Sequence, residues 1–519
     1  MLWGNLKKNP RFKGYEFTEG GVGVKFELPR LLCKREIALR FLWTRYDHLT
    51  PVSFPPFTLP SESCYHGAQT LLSGCCVRQE SVSSRLESSK GSSLQDLSEF
   101  EGLMVIEADA NTDFSECKKS TEDILSDMQA HHALDSKGAT INLYQYGVIG
   151  GIMHISLFQI PPQPHIAGEW TITQIIEEGL KEIPYPDVMI STLMLTASSD
   201  SQKSLLSLGH SSIPVSQLMT LTFTPPTGLV ITQPPLVARW EVADQVWTTQ
   251  GISRASYNAT SSRVSFRLSI PCSVALFQHL YVGVPYAHWE LRPCAMRNGE
   301  ADSIGESAAV LVCELATGIT VHIGIALQTA KYQLLPGNDQ WAELAFPSVC
   351  GHWLSLAQLK RALRYMGVNL FSEHHAQHFI SIPQKDWQLE KQSYNQMALL
   401  ASVFAFSRSC WNMHSASEKF ILQVCEPIKV LPATSTLPTS ADWRLIAVTA
   451  RSAQWINGGD LDPEMPTEPT PGQLFHGLLW NAVFTTASPA GTNRLTNFPA
   501  GLAHAVRKIL HATRPLAFS

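Results

Sequence analysis

The chain has 519 residues, of which 44% are hydrophobic and 9% aromatic, and it contains 32 glycines and 32 prolines. This composition is typical of a folded protein of several domains and excludes a collagen, a coiled coil and a wholly disordered chain. Asp and Glu outnumber Lys and Arg by 44 to 39, for a formal net charge of -5, so no chain-wide basic field exists to attract nucleic acid or an anionic membrane.

The N-terminal part of the chain is predicted to be a short polar arm, residues 1–21, followed by a first β-rich domain, residues 22–185. Apolar residues recur at every second position in 22–28 and again in 37–43. A period of two is typical of half-buried strands, so this pattern predicts two strands near the start of the domain.

The middle of this domain has a different composition. Residues 61–137 are rich in Ser and lack apolar periodicity, which predicts a disordered insertion, because such a stretch buries too little surface to offset its chain entropy. An apolar run at 141–160 predicts another strand, and residues 170–180 are predicted to form a short helix. A Ser- and Thr-rich linker at 186–219 then leads to the next domain.

Residues 220–345 are predicted to form an antiparallel β-sandwich domain. Alternation at 238–242 and at 264–268 predicts strands, and the second of these follows a turn. Two further runs, 311–315 and 320–325, flank the sequence Ala-Thr-Gly and predict a hairpin. Several short strands separated by turns favour a sandwich over a parallel sheet.

The aromatic residues of this region have two interpretations. Trp240, Phe266 and Trp289 are predicted to be sandwich core, where truncation would leave cavities. Trp240, Trp247, Tyr257 and Trp289 could instead form a platform on which bases or sugars stack. A cytosolic module that binds peptides or sugars through Trp247 and Trp289 therefore stays open as an alternative function.

After residue 353 the apolar period changes. Apolar residues at 356–366 fit one helical face that ends at Gly367, a predicted helix C-terminus. The aromatic residues at 404–406 are predicted to pair with 420–424 in a hairpin, and a helix through 397–406 is the alternative.

The predicted C-terminal domain, residues 346–519, is therefore of the α+β class. It contains a proline-rich acidic linker at 458–472, followed by predicted helices at 473–483 and 501–513. The fold class predicted for the whole chain is β-rich and multidomain, with antiparallel sandwich-like domains before this mixed C-terminal domain.

The best metal candidate is the sequence Glu-His-His-Ala-Gln-His at 373–378. His374 and His378 are spaced by four and would share one face of an α-helix, but a metal needs further ligands. A solvated loop or helix end is the competing interpretation, and a metal-dependent hydrolase is the alternative function attached to the metal. No GxSxG elbow and no phosphate-binding glycine loop occurs, so the sequence predicts no catalytic residue and no cofactor.

Histidines and cysteines elsewhere are predicted to be structural. His48, His154 and His322 lie in apolar stretches, where a single histidine is usually hydrogen-bonded and has no catalytic role. The 11 cysteines form no CxxC pair and no regular framework, which indicates free thiols in a reducing compartment.

A small basic cluster lies on the predicted helix before Gly367. Lys360, Arg361 and Arg364 could be a solvated face, or they could attract an acidic partner over a short range in spite of the negative net charge. Charged residues make up only 16% of the chain, against about 25% in typical soluble domains, which favours a protein that covers part of its surface with partners.

Six segments resemble the axonemal dynein intermediate chain 7 family, also called the cancer susceptibility candidate 1 family. They occur in the family's order, at 28–51, 150–170, 237–258, 285–293, 367–371 and 397–412. The resemblance extends from residue 22 to residue 519, and the Ser-rich stretch is its main unmatched part. The matched segments are fold signatures and contain no catalytic motif.

The resemblance implies a non-catalytic subunit that associates with inner-arm axonemal dynein and with tubulin. Its expected location is the ciliary axoneme and the cytoplasm where dynein arms preassemble, and its expected role is support of cilium movement, with no nucleic-acid or membrane partner. Family members usually carry a long charged helix before the first β block, where this sequence has residues 1–21. That difference implies a shortened isoform or a divergent paralogue.

Overall fold

The structure is a computed structural model. It describes residues 14–17, 22–28, 37–50, 140–160, 164–173, 181–182, 218–294, 307–337, 349–428, 442–472, 475–497 and 499–519. All of these except Thr140 belong to one compact unit. The predicted insertion at 61–137 lies outside the described residues, as do most of the predicted arm at 1–21 and of the predicted linker at 186–219.

Strands dominate the described residues. In chain order β1 to β21 are Gly14–Phe17, Gly23–Glu27, Ile37–Thr44, Tyr146–Gln159, His165–Ala167, Trp170–Ile172, Met219–Thr224, Leu236–Glu241, Val246–Thr248, Ile252–Asn258, Arg263–Leu268, Ser273–His279, His288–Pro293, Ser307–Glu314, Thr320–Ala326, Tyr332–Leu335, Trp353–Leu354, Ala405–Arg408, Lys419–Cys425, Arg444–Thr449 and Ala453–Ile456. The α-helices, α1 to α5, are Leu356–Tyr365, Trp387–Leu400, Leu479–Phe484, Pro489–Thr496 and Ala500–Thr513. Short 3-10 turns occur at His374–His378 and Cys410–Asn412.

The N-terminal region is a sandwich of two five-stranded antiparallel sheets, with strand orders β1-β2-β7-β11-β10 and β3-β4-β12-β8-β9. Each inner face is apolar because side chains alternate along the strands. Phe26 and Phe266 of the first sheet share one buried cluster with Phe41 and Leu276 of the second. The rings of Phe26 and Phe41 have their centroids 4.9 Å apart, which places the two sheets face to face.

The C-terminal region is built on a nine-stranded antiparallel sheet with strand order β17-β16-β15-β14-β13-β18-β19-β20-β21. Trp289, Leu311 and Phe406 of this sheet share a buried cluster with Met397 of α2 and Ile509 of α5. A layer of helices therefore covers one face of the sheet. The predicted fold class, β-rich with antiparallel sheets and a C-terminal α+β region, is confirmed.

The structure groups the strands differently from the predicted domain boundaries at 185, 220 and 345. Both sheets of the sandwich combine strands from before residue 186 with strands from 219–279. Residues 288–335 join the sheet that continues to Ile456, so they are not part of the sandwich. Periodicity identifies a strand but not its partner, and the pairs here join residues that are distant in sequence.

Most of the local predictions are confirmed. The predicted hairpins appear as β10 with β11, β14 with β15, and β18 with β19, where Phe406 lies opposite Val424. The helix before Gly367 is α1, and Gly367 has a φ of 84°, as a glycine just beyond a helix end requires. The helices predicted at 473–483 and 501–513 appear as α3 and α5, although α3 begins only at Leu479.

Two local predictions are wrong. Residues 170–172, predicted to start a helix, form β6, which pairs with β5 across a turn where Gly168 has a φ of 63°. Residues 458–472 do not behave as a simple linker, because Asp460 accepts hydrogen bonds from Ser409 Oγ at 2.6 Å and from Gln423 Nε2 at 2.6 Å. That carboxylate fixes the stretch against β18 and β19.

The C-terminal residues lie inside the C-terminal region. Leu516 and Phe518 are buried in the same cluster as Trp289. The backbone N–H of Tyr286 donates to the carbonyl of Phe518 at 2.8 Å, and the Trp289 indole N–H donates to Ser519 Oγ at 2.9 Å. No helix among the described residues is long and apolar enough to cross a membrane.

Candidate functional site

The predicted basic cluster lies on α1, which begins with a capping box. Ser355 Oγ accepts a hydrogen bond from the backbone of Gln358, and the side chain of Gln358 accepts one in return from the backbone of Ser355. Leu359 and Leu363 are buried against the core. The positively charged residues therefore lie on the other side of the helix, where they are half-buried.

Two of the three cations bind a carboxylate of the same chain. Lys360 Nζ forms an ion pair with Glu373 Oε1, and Arg364 Nη2 lies 3.8 Å from the same oxygen. Arg364 Nε also donates to Asn369 Oδ1 at 3.1 Å. Burial alone would raise the pKa of the Glu373 carboxyl, but the Lys360 and Arg364 charges lower it below its ordinary value. Glu373 is therefore ionised at neutral pH, and it compensates part of the positive charge of the cluster.

The same helix joins the sandwich to the C-terminal region. The hydroxyl of Tyr46, in the loop after β3, donates to the carbonyl of Arg361 at 2.7 Å. Gln278 Nε2 of β12 donates to the carbonyl of Gly367 at 2.9 Å. A Cβ on Gly367 would lie 2.4 Å from the carbonyl oxygen of Val230, so only glycine allows this approach. The basic cluster therefore belongs to the junction between the two regions.

The predicted pair His374 and His378 does not have the helical geometry that the metal hypothesis needs. Residues 374–378 form a 3-10 turn, in which positions i and i+4 point in different directions. His378 is exposed, and the His374 side chain lies outside the described part of the structure. Within the described residues, no group of three or more His, Cys, Asp or Glu side chains is placed to hold a metal ion.

The histidine between them has a clear structural partner. His375 Nε2 lies 2.9 Å from the hydroxyl of Tyr281, and its ring packs edge-on against Tyr144 with centroids 4.8 Å apart. This aromatic contact connects the 3-10 turn to residues that follow β12 and precede β4.

The aromatic platform is also not formed. Trp247 and Trp289 are 1% and 0% exposed, so neither ring can stack on a ligand. They also lie in different sheets, since Trp247 is in β9 and Trp289 in β13. Phe266 and Trp289 are buried in the core, as predicted, but Trp289 belongs to the nine-stranded sheet and not to the sandwich. Trp240, also predicted to be core, is only half-buried and packs edge-on against Trp247.

A cavity of about 580 Å³ on the outer side of the sandwich contains a group of polar residues that the sequence did not predict to be together. His154 on β4 has Nε2 2.6 Å from Asp47 Oδ2 and Nδ1 2.8 Å from Ser273 Oγ. Arg40 and Arg239 line the same cavity. The three members of the hydrogen-bonded chain come from three separate segments, so no linear motif could have predicted their contact.

The sequence of groups, carboxylate to imidazole to hydroxyl, is the one that activates a serine in hydrolases. Here each hydrogen bond also has a structural effect. Asp47 Oδ2 accepts from Thr44 Oγ1 at 2.6 Å, and Asp47 Oδ1 accepts from the backbone N–H of Leu49 at 2.8 Å. Asp47 therefore organises the loop that carries Tyr46, and His154 ties that loop to β4 and β12, as the prediction of a structural histidine expects.

The described geometry defines a β-rich protein in which an antiparallel sandwich is joined to an α+β region with a large antiparallel sheet. No protein-family model matches the chain. Curated proteins named dynein axonemal intermediate chain 7 are similar to it along its whole length. The identity is 29% to the protein from Danio rerio, 27% to that from Bos taurus and 25% to that from Homo sapiens, in each case over 100% of this chain and 70% of the relative. The resemblance to this family predicted from the sequence is confirmed.

Proposed function

We propose that this chain is a non-catalytic structural subunit associated with inner-arm axonemal dynein, and that it supports cilium movement. The observation that carries the proposal is the similarity to three dynein axonemal intermediate chain 7 proteins over the whole chain. The described fold is consistent with it, because Trp247 and Trp289, the tryptophans of the alternative ligand-binding hypothesis, are buried in the core. The proposed location is the axoneme, with the cytoplasm as the place of assembly.

Affinity purification of the tagged chain from ciliated cells, followed by mass spectrometry, tests this proposal. We expect recovery of axonemal dynein subunits and impaired ciliary beating after deletion of the gene. Normal beating together with no recovered dynein subunit would contradict the proposal.

Direct binding to tubulin is a second part of the proposal. It would use Lys360, Arg361 and Arg364, whose three positive charges exceed the single negative charge of Glu373. Binding should be weakened by salt, because tubulin and this chain are both acidic overall and only local pairing attracts them. We expect Arg361→Glu to reduce co-sedimentation with microtubules at low ionic strength, whereas Arg254→Glu, at an exposed position of the sandwich, should not. Equal sedimentation of the two variants would show that this cluster is not the tubulin contact. No sedimentation of the native chain would remove direct tubulin binding and leave the dynein association.

The absence of catalysis is proposed as well, and the cavity at His154 gives it a direct test. A fluorophosphonate probe labels serines that are activated by a histidine. We expect no labelling of Ser273 in the purified chain. Labelling that is lost in His154→Ala and in Ser273→Ala would show an activated serine and contradict the non-catalytic assignment.

A further inference from the structure

The hairpin of β5 and β6 is bonded only to itself within the described part of the chain. Its strands pair with His165 opposite Ile172 and Ala167 opposite Trp170. All residues from 164 to 173 are exposed. Outside the ladder, no hydrogen bond, ion pair or ring contact joins them to another described residue. A two-stranded hairpin alone is marginally stable in water, so this one would gain order from a partner.

The chain leaves β4 to form the hairpin and returns to β4 after it. The backbone N–H of Gln159, at the end of β4, donates to the carbonyl of Lys181 at 2.9 Å. Glu182 forms an antiparallel bridge with Phe158 of the same strand. The two ends of the segment 160–180 therefore lie side by side on the second sheet of the sandwich, which positions the base of the hairpin.

Large apolar side chains occupy both faces of the hairpin. Trp170 and Ile172 are separated by one residue along β6, so they share one face. Ile166 lies opposite Thr171 and therefore belongs to the other face. Trp170 is 78% exposed, Ile166 73% and Ile172 59%. Exposed apolar side chains grouped in this way, with a tryptophan among them, are typical of protein contact sites.

A carboxylate stands at the turn of the hairpin. Gly168 and Glu169 form a two-residue turn between the paired residues Ala167 and Trp170. Gly168 has a φ of 63°, the left-handed conformation that such a turn needs at its first position. Glu169 is exposed and forms no ion pair with a described residue. Its negative charge is therefore available to a cation of a partner.

We propose that the β5–β6 hairpin inserts into an apolar cleft of a partner protein, in which a lysine or arginine pairs with Glu169. A flat surface could cover only one face of the hairpin. The two walls of a cleft cover both, with Trp170 and Ile172 against one wall and Ile166 against the other. The proposal deepens the proposed function, on which it rests, by naming the chemistry of a partner's binding surface.

Size and charge disfavour a second copy of the chain as the occupant. Burial of the three apolar side chains removes roughly 400 Å² at most from water, whereas a stable dimer takes about 800 Å² from each partner. Two hairpins placed tip to tip would also bring their Glu169 carboxylates together, which is repulsive. A small anchor of this kind suits a subunit that has further contacts within an assembly.

A lipid bilayer and an acidic protein surface are disfavoured as well. Glu169 precedes Trp170 at the tip, so insertion of the tryptophan into hydrocarbon would take a carboxylate out of water. The net charge of -5 also repels anionic headgroups. The same carboxylate is repelled by an acidic surface such as that of tubulin, so the hairpin and the proposed tubulin contact need different partners.

Site-directed photo-cross-linking identifies what covers the hairpin. Trp170 is replaced by p-benzoylphenylalanine in the tagged full chain, which is expressed in ciliated cells and irradiated, and the products are mapped by mass spectrometry. We expect a cross-link to one protein site that contains apolar residues and a lysine or arginine. The same replacement at Val242, an exposed apolar position of the sandwich, is the control and should not reach that site.

The other products of this experiment would overturn the proposal. They are a cross-link from position 170 to lipid, to a second copy of this chain, to tubulin or to a protein site without a cation. The absence of any cross-link from position 170 would overturn it too.

Rebinding to axonemes measures the effect of the charge. Axonemes from cells in which the gene is deleted are incubated with the purified full chain, and the half-saturating concentration is determined. We expect Glu169→Lys to raise this concentration by about tenfold or more, since a charge reversal replaces an attraction by a repulsion. Asp244→Lys, the same reversal at an exposed position in the turn between β8 and β9, should leave it unchanged.

The apolar side chains are tested in the same assay. Trp170→Ser with Ile172→Ser should also raise the half-saturating concentration by about tenfold or more, as expected for an anchoring tryptophan. The melting temperature should stay the same, because both side chains are exposed in the folded chain. An unchanged half-saturating concentration for either hairpin variant would overturn the proposal.

The two experiments separate this proposal from the function on which it rests. If the native chain rebinds to axonemes and the hairpin variants rebind equally, the hairpin contact is wrong and the function stands. If the native chain does not rebind, but position 170 cross-links to an apolar and cationic site of another protein, the function is wrong and the hairpin contact stands.

Discussion

The N-terminal sandwich and the C-terminal region bury their interiors in different ways. In the sandwich, the main buried cluster consists of apolar side chains from two facing sheets. In the C-terminal region, the apolar cluster encloses many buried polar side chains, among them Glu390, Ser393, Asn412 and Arg514. The described part of the sandwich has fewer buried polar side chains, namely Ser156, Arg239, Thr248 and Gln278. The sandwich is therefore held mainly by alternation of apolar residues, whereas the C-terminal region depends more on specific hydrogen bonds.

The loop between β18 and β19 illustrates this dependence. Lys385 Nζ lies within hydrogen-bonding distance of the carbonyl oxygens of Asn412 at 2.8 Å, Ser415 at 3.0 Å and Lys419 at 3.1 Å. Asn412 Nδ2 in turn donates to the carbonyls of Leu516 and Ser519. One network thus connects the start of α2, this loop and the C-terminal residues.

The largest effect should come from the buried ion pair of the C-terminal region. Arg514→Met leaves the Glu390 carboxylate buried without its partner, which we expect to lower the free energy of unfolding by about 3 to 5 kcal/mol. Urea denaturation measures this loss. The double variant Arg514→Met with Glu390→Leu removes both charges and should recover part of it. Equal stability of the single variant and the native chain would show that the pair is not needed.

A substitution at the junction between the two regions should have the next largest effect on stability. Gly367→Ala adds a Cβ at a φ of 84° and 2.4 Å from the Val230 carbonyl. We expect a loss on the order of 2 kcal/mol, because the left-handed conformation alone disfavours alanine by about 1 to 2 kcal/mol. Gly318→Ala is a matched control, since its φ is 82° but its Cβ would meet nothing within 4 Å. Equal melting temperatures of the two variants would mean that the close approach to Val230 has no effect.

Substitution of Asp47, in the loop after β3, should have a smaller effect on stability. Burial alone would raise the pKa of the Asp47 carboxyl. Hydrogen bonds from Thr44, His154 and the Leu49 backbone have a larger opposite effect, so the pKa lies below its ordinary value. The stabilisation by this carboxylate is thus present above the ordinary pKa of aspartate and is lost as the pH falls through the lowered pKa. We expect Asp47→Asn to destabilise the chain by about 1 to 2 kcal/mol at pH 7.

Thermal unfolding at a series of pH values checks this prediction. The difference between Asp47→Asn and the native chain should shrink as the pH is lowered, because the native carboxyl is then protonated too. A difference that stays constant down to pH 2.5 would show that the charge of Asp47 is not involved.

At pH 7 the smallest effect should be that of His511, because its protonation changes stability only in acid. Its pKa is lowered from 6.5 to about 4 in the folded chain, so between these values the unfolded chain binds more protons. Stability should therefore be full above pH 6.5 and decrease as the pH falls toward 4. We expect His511→Asn to flatten this part of the stability curve measured by thermal unfolding, whereas the exposed His352→Asn should leave it unchanged.

Strands and hairpins could be predicted from the sequence, but the pairing of strands that are distant in sequence could not. The alternation around Phe266 and the hairpin at Phe406 were predicted because the side-chain period depends only on local sequence. The contact of Asp47, His154 and Ser273 was not, because it joins three separate segments of a sheet. The ion pair of Glu373 with Lys360 was not predicted either. Glu373 lies just before a 3-10 turn and not on α1, so helical spacing could not show that the two side chains meet.

The burial of residues 514–519 also has a consequence for the order of folding. The sandwich needs no residue beyond His279 to form its two sheets, so it can fold while the rest of the chain is still being synthesised. The core around Trp289 is closed by Leu516 and Phe518, which emerge from the ribosome much later. We therefore expect the nine-stranded sheet to complete its core only after these residues have been synthesised, and its apolar face to be exposed until then.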